Sequence, residues 1–276
     1  MKILVISNFS NQKAGGVYVE TVNVLLKLGC EVIVTSESDK ISNETVMRCS
    51  DAYKKCDRVI AIGGDGSIIH VAKKAAAYRK PVLGINCGRL GYLSGLEADN
   101  LSRLNDFVSG NYTVECRSML TAEFTLRGKK VKKSFLNDAV IAKGAISRMV
   151  DLKVGFDNNF VDYHADGVIV STSTGATAYS MSAGGPIVAP DLDLILVTPI
   201  SAHSFHNRSI ALSVNTPLSI TNNTERHSDV YLSIDGEQAF KLGKNDVVTI
   251  SRSPLTAQII KIDNVPFFET LSNKIR

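Results

Sequence analysis

The sequence predicts a two-domain α/β protein: an N-terminal Rossmann-like parallel α/β domain followed by a C-terminal β-rich, β-sandwich-like domain. Three observations predict it. Short runs of branched residues alternate with helical patterns from the N-terminus to about residue 100, and a glycine turn, Gly63-Gly64-Asp65-Gly66, links one such run to an amphipathic segment. Beyond Tyr112 the apolar period changes from helical to two, with many short strands in succession.

Lys2 to Asn8 reads as a buried strand, and Val17 to Leu28 as a helix with apolar positions 19, 22, 25 and 26, ended by Gly29. Glu31 to Ser36 is a second strand, Glu44 to Lys55 a helix, Arg58 to Ile62 a third strand, and Ser67 to Tyr78 the helix after the glycine turn. Pro81 to Asn86 adds a fourth strand and Leu101 to Ser109 a further helix. Strands alternating with helices imply a parallel sheet, with ligands expected beyond the carboxyl ends of its strands. Tyr112 to Ile141 then alternates, with a hairpin at Arg127-Gly128-Lys129. Strands follow at 151–156, 167–171, 194–199, 210–214, 218–221, 230–234, 247–251 and 257–262, and Phe267 to Arg276 reads as a short helix. The expected division is 1–110 for the α/β domain, with 264–276 packing back on it, and 111–263 for the β-rich domain.

With 276 residues, 44% hydrophobic and 21% charged, the chain can bury one large or two modest cores. The excess of 31 Lys and Arg over 27 Asp and Glu is only +4, which does not demand nucleic acid as a partner. The one basic concentration, Arg127 to Lys133, surrounds Gly128 and reads as a solvated hairpin turn. Five cysteines without a C-x-x-C pair argue against disulfide or metal frameworks and fit reduced thiols in a cytoplasmic protein. The apolar run at the N-terminus is too short for a signal peptide, and none elsewhere approaches a membrane span. The charge balance is compatible with anionic small molecules as partners.

Gly63-Gly64-Asp65-Gly66-Ser67 joins a strand to a helix, where backbone N–H groups and the helix N-terminus favour phosphate. Asp65 would repel a phosphate directly, so a functional Asp65 must serve a metal, a ribose hydroxyl or a proton to be removed. By itself the loop reads rather as a plain strand-to-helix turn with an N-capping Asp. Asn86 to Tyr92 is a second glycine-bearing loop at a strand end. The stretch Asp166 to Pro186 is the strongest local signal: a strand leads into Ser171 to Gly185, nearly all small, hydroxylated or glycine, interrupted by Tyr179. Small residues permit close backbone approach, hydroxyls donate to phosphate or ribose, and Tyr179 offers a face to a base.

Gly63-Gly64-Asp65-Gly66 resembles the GGDG signature shared by NAD kinases, diacylglycerol and sphingosine kinases and phosphofructokinases. The run from Asp166 to Pro186 resembles that of NAD kinases in particular. Three further segments match in order: Gly84 to Leu93, the pair Asn137-Asp138, and Thr198-Pro199-Ile200 through His203-Ser204. The resemblance spans essentially the whole chain and implies phosphoryl transfer from ATP to the 2′-hydroxyl of the adenosine ribose of NAD, giving NADP and ADP. Mg²⁺ or another divalent cation is implied with ATP, with no dedicated protein cage for it, and the family implies a homodimer or homotetramer. A ribose hydroxyl is a poor nucleophile until its proton is accepted, so Asp65 is the candidate general base, a role typically worth about 10²- to 10⁴-fold.

By resemblance, Asn137 and Asp138 meet the nicotinamide ribose, Asp166 the nicotinamide amide, and Thr177, Ala178, Tyr179 and Ser182 the dinucleotide. Gly63 and Gly64 make room for phosphates, while Gly66, Tyr92 and Leu93 line the adenosine side. His70, one turn past Asp65, and His203, in the Pro-Ile/His-Ser segment, complete the candidate binding residues, together with His164, which stands where the family often has Arg, and Arg148, a compensating cation. His206 and His227 carry only structural expectations. Asp138 replaces the family's usual Glu, Ser67 a Thr, and Ser173 a Pro, and Glu237 stands where some members carry a polar amide; these departures bear on affinity and donor preference. A lipid or sugar kinase of the same GGDG superfamily is disfavoured by the run from Asp166 to Pro186. A non-catalytic dinucleotide-sensing module is the alternative from another class.

Overall fold

The computed structural model describes residues 1–8, 12–35, 45–47, 49–88, 91–145, 148–203, 207–225, 228–262 and 265–275. Arg89, Leu90, Ser204, His206 and His227 lie outside the described residues, as does Glu44. The elements of the first part are β1 (Lys2–Ser7), α1 (Gln12–Lys27), β2 (Glu31–Thr35), β3 (Thr45–Met47), α2 (Cys49–Lys55), β4 (Arg58–Gly63), α3 (Asp65–Ala76), β5 (Val82–Asn86), β6 (Leu96–Glu97), a 3₁₀ segment Ala98–Arg103 and α4 (Leu104–Ser109). There follow β7 (Thr113–Leu126), β8 (Lys129–Phe135), β9 (Asp138–Lys143), β10 (Val150–Phe156), β11 (Asn159–Ala165), β12 (Gly167–Ser171), a 3₁₀ turn Gly175–Thr177 and α5 (Tyr179–Ser182). The remainder is β13 (Leu194–Ile200), β14 (Ile210–Ser213), β15 (Leu218–Asn222), β16 (Val230–Ile234), β17 (Gln238–Leu242), β18 (Val247–Lys261) and α6 (Phe267–Ile275). The chain forms two compact units, Met1–Cys116 with Thr256–Arg276, and Arg117–Leu255.

In the first unit the strand order is β3-β2-β1-β4-β5, every pair parallel. The far edge of β5 is completed by two short pieces, Ile259 and Ile260 of β18 beside Val82 and Leu83, and Leu96 and Glu97 of β6 beside Ile85 and Asn86. Strands buried on both faces need unbroken apolar runs, as Arg58-Val59-Ile60-Ala61-Ile62 supplies. One face packs Ile3, Val5, Ile60, Ile62, Leu83 and Ile85 with Tyr18, Val22 and Leu25 of α1. On the other, Ile68 of α3 lies so close over Gly84 that a Cβ there would stand 2.6 Å from its Cδ1. The apolar stripe of α1 runs Ala14, Tyr18, Val22, Leu25, leaving Val19 and Leu26 about half exposed at 48% and 54%, so two of the four apolar positions expected to face the core do not. The strand order reverses between β1 and β4, and α/β sheets open a crevice at that point. The GGDG turn follows β4 there.

The second unit is antiparallel. One sheet has the order β14-β13-β12-β9-β16-β17. A second layer contains β11-β10-β15 and the first residues of β18, together with the β7-β8 hairpin. Inner faces of both contribute to one core, Leu152, Val154, Tyr163 and Ile220 meeting Ile141, Val168, Val170 and Leu232, which makes the unit sandwich-like. The hairpin at Arg127-Gly128 forms with φ of 49° and 75°, the left-handed pair that two-residue hairpins favour.

The structure departs from the sequence reading at three places. Thr45 to Met47 form a strand beside β2, so the helix expected over 44–55 is confined to Cys49–Lys55; β-branched Thr45 and Val46 suit the sheet. The segments 247–251 and 257–262, read as separate strands across Pro254, belong to one strand, Val247–Lys261, within which the Ser253 hydroxyl takes the Leu255 N–H at 3.1 Å. β11 and β17 were not read from the sequence; they pair with β10 and β16. Among the described residues no helix is long and apolar enough to cross a membrane.

The Tyr163 hydroxyl lies in the sandwich core without a hydrogen-bond partner among the described residues, and burial pushes its pKa up. Removing such a group relieves a desolvation cost of about 1–3 kcal/mol. Tyr163→Phe is therefore expected to leave the thermal midpoint unchanged or raise it by a few degrees in calorimetry; a fall would mean that the hydroxyl is bonded.

Candidate functional site

The first constellation lies at the carboxyl ends of β4 and β5. A Cβ on Gly63 would come within 2.8 Å of Cβ and Oγ of Ser67, so the turn into α3 needs glycine there. Gly64 is the N-cap residue, extended and without a side-chain cap, and Asp65 is the first residue of α3. The N-capping role open to Asp65 in the sequence therefore falls to Gly64. Added side chains on Gly64 and Gly66 would meet nothing within 4 Å, so open space lies beside both Cα atoms. Asn8, just past β1, donates from Nδ2 to the Ser67 hydroxyl at 3.1 Å, tying the two strand ends at the reversal together.

The Asp65 carboxylate turns away from its own helix. Oδ2 accepts the Tyr92 N–H at 2.9 Å and Oδ1 the Leu93 N–H at 3.1 Å. Gly91 makes this approach possible, because a Cβ there would stand 2.5 Å from Oδ1. The same loop is anchored through Asn86, buried at the end of β5: its Oδ1 accepts the Gly88 N–H at 3.1 Å and its Nδ2 donates to Glu97 Oε2 at 2.8 Å. Burial pushes Glu97 above the usual carboxylate range, opposed by the Asn86 bond. Leu93 is buried and offers its backbone, Tyr92 is half-buried, and His70 is exposed on α3.

The second constellation belongs to the β-rich unit. The N–H groups of Leu136, Asn137 and Asp138 converge on the Asp235 carboxylate at 3.2, 2.8 and 3.2 Å. The Asn137 carbonyl accepts the Thr172 N–H at 2.9 Å, and a Cβ on Gly175 would lie 2.0 Å from that oxygen, so Gly175 has no possible side chain. Much of the hydroxyl-rich stretch serves this packing: Thr172 Oγ1 donates to the Leu136 carbonyl at 2.6 Å, Ser173 to the Leu192 carbonyl, and Ser180 Oγ pairs with Thr198 Oγ1 at 2.8 Å. The expectation that its hydroxyls face a ligand thus fails for Thr172, Ser173 and Ser180, which the fold itself uses. Thr177 and Ala178 are half-buried, and Tyr179 and Ser182 on α5 are exposed.

Asp166 receives the Lys143 ammonium at 2.7 Å and its N–H donates to the Ile200 carbonyl at 2.9 Å. His203 donates its backbone N–H to the His164 carbonyl at 2.8 Å, and His164 Nδ1 lies 2.8 Å from Asp151 Oδ1. His164 and Arg148 share an open cavity of about 490 Å³ with Asp151 and Glu225. Lys143 and Asp235 carry no motif signal; the Asp235-Gly236 pair reads as a hairpin turn, which it also is.

Residues 3–112 match the model of the ATP-NAD kinase N-terminal domain, and residues 136–262 that of the ATP-NAD kinase C-terminal domain. The chain belongs to the NAD kinase family. It is 38% identical over 279 residues to the NAD kinase of Caldanaerobacter subterraneus subsp. tengcongensis, covering 99% of this chain and 98% of that one. It is 33% identical over 279 residues to the NAD kinase of Geotalea daltonii, covering 100% and 98%. Among solved structures, the yeast NADH kinase complexed with NADH superimposes with a TM-score of 0.87 at 22% identity, covering 100% of this chain and 86% of that one. An NAD kinase from Archaeoglobus fulgidus in complex with ATP gives 0.77 at 24%, covering 100% and 99%. These two likenesses show that the fold is that of NAD kinases.

Within this NAD kinase fold the departure at Asp138 has a physical consequence. The residue opens β9 and is buried, and burial, with the Asp235 charge a smaller contribution, raises its carboxyl to about 7. The folded state then holds a proton that the unfolded chain releases near pH 4, so stability falls as pH rises from about 4 to 7. Each pKa unit is about 1.4 kcal/mol, which bounds the cost near neutral pH at about 4 kcal/mol. Asp138→Asn is expected to raise the thermal midpoint at pH 8 and leave it nearly unchanged at pH 4; equal shifts at both would show that Asp138 does not titrate this way.

Proposed function

We propose that this member of the NAD kinase family transfers the γ-phosphoryl group of ATP to the 2′-hydroxyl of the adenosine ribose of NAD, with Asp65 as general base. The observation that carries the base assignment is the Asp65 carboxylate: it stands at the first turn of α3, where the strand order reverses, fixed by the Tyr92 and Leu93 N–H groups at 2.9 and 3.1 Å. A base fixed from outside its own side chain loses little entropy in meeting the ribose hydroxyl. It accepts the hydroxyl proton as the oxygen attacks phosphorus and the bond to the ADP oxygen breaks. The open space at Gly64 and Gly66, beside the N–H groups of the first turn of α3, suits phosphate oxygens.

The α/β unit, in this reading, supplies the base and the phosphate contacts. The β-rich unit supplies Asn137, Asp138, Asp166, the half-buried Thr177 and Ala178 and the exposed Tyr179 and Ser182 as dinucleotide contacts, with Arg148, His164 and His203 as further polar contacts. A divalent cation is expected to enter with ATP, held by triphosphate oxygens and water. Such a cation neutralises phosphate charge when bound.

Incubation with NAD, ATP and Mg²⁺ is expected to yield NADP and ADP. Asp65→Asn is expected to lower kcat by about 10²- to 10⁴-fold with NAD binding retained by calorimetry. Turnover near wild type in that variant removes Asp65 as base, and no NADP with any phosphoryl donor leaves a dinucleotide-sensing module.

A further inference from the structure

The Gly91–Gly95 loop is held from two sides, and the second side comes from the far end of the chain. Lys261, the last residue of β18, donates from Nζ to the Tyr92 carbonyl at 3.0 Å and to the Ser94 carbonyl at 2.7 Å. Gly95 packs against the same strand: a Cβ on it would stand 2.1 Å from the Ile260 carbonyl oxygen, and its own carbonyl accepts the Ile262 N–H at 3.3 Å. The peptide between Tyr92 and Leu93 is the point of interest. Its carbonyl is bonded to the Lys261 ammonium and its N–H to the Asp65 carboxylate, so one peptide dipole lies between a cation and an anion. In a trans peptide the two groups point in opposite directions, which places Lys261 and Asp65 on opposite sides of the same unit. A cation on the carbonyl strengthens the N–H as a donor, as in any polarised hydrogen-bond chain.

We propose that Lys261 is a positioning residue for the reaction, acting through the Tyr92–Leu93 peptide to hold the Asp65 carboxylate in line with the acceptor hydroxyl. The inference rests on the reading of Asp65 as general base. In this role Lys261 acts through the loop backbone, by its bonds to the Tyr92 and Ser94 carbonyls. Its loss frees the Tyr92 and Ser94 carbonyls, lets the loop shift, and misaligns Asp65, which for displacements near 1 Å costs about 100-fold in rate.

The test compares Lys261→Met, which keeps most of the alkyl stem and removes the charge, with Lys261→Arg, which keeps a cation. K261M is expected to lose about 10- to 100-fold in kcat with KM for NAD and ATP changed less than about twofold, and K261R to recover most of kcat. A structural role alone would lower the active fraction without restoration by Arg in proportion to charge. Placed in the Asp65→Asn background, K261M is expected to lower residual turnover by less than about twofold, because residues acting as one unit are not additive. Wild-type kcat in K261M, or the same fold-loss with and without Asp65, overturns the proposal. If K261M does not fold, Lys261→Gln replaces it: lower kcat in K261Q than in K261R supports the proposal, and equal kcat overturns it. Near-wild-type turnover in Asp65→Asn alone would instead overturn the base assignment, so the two failures are distinguishable.

Discussion

At Gly91 an added Cβ would stand 2.5 Å from the Asp65 carboxylate, and at Gly175 one would stand 2.0 Å from the Asn137 carbonyl. Both constellations depend on this kind of contact, in which backbone meets a polar group with no side chain between. Where it occurs, the chain passes close enough for N–H groups to be donated directly: Tyr92 and Leu93 to Asp65 in one unit, and Leu136 to Asp138 onto Asp235 in the other. Backbone donors bring no rotamer freedom of their own, so the carboxylates they hold are fixed at low entropic cost.

The two carboxylates held in this way serve different ends. Asp65 is half-buried at the first turn of α3, whereas Asp235 takes three backbone N–H groups and shapes the loop that carries Asn137 and Asp138. The charge of Asp235 is also felt by Asp138, whose burial already favours the protonated form. The Asp138 carboxylate thus sits buried at the start of β9. The hydroxyl-rich stretch shows the same economy, with Thr172, Ser173 and Ser180 spent on holding the loops and Tyr179 and Ser182 left exposed.

Local signals were legible where one physical cause dominates. The apolar run 58–62 can only be a buried strand, the glycines after it can only be a tight turn, and Arg127-Gly128 closes a hairpin because a left-handed pair is cheap there. The strands β11 and β17 were not read, and each is held by the partner it pairs with: β10 through Phe156–Asn159 and β16 through Ile234–Gln238. The same holds for Thr45 to Met47, drawn into the sheet by β2.

By itself the sequence determined the α/β then β-rich order, the two glycine loops of the first part, the long hydroxyl-rich stretch and, through these motifs, the family. Tertiary structure alone decided what each polar group faces. Asp65 is 27 positions from the Tyr92 N–H it accepts. Lys143 meets Asp166, Asp235 gathers three N–H groups from residues 136–138, and Lys261 reaches a loop 167 positions before it. No periodicity encodes such pairs, because they arise when strands distant in sequence are laid side by side. The motif named the carboxylate; the folding of strand ends onto one another decided which groups hold it.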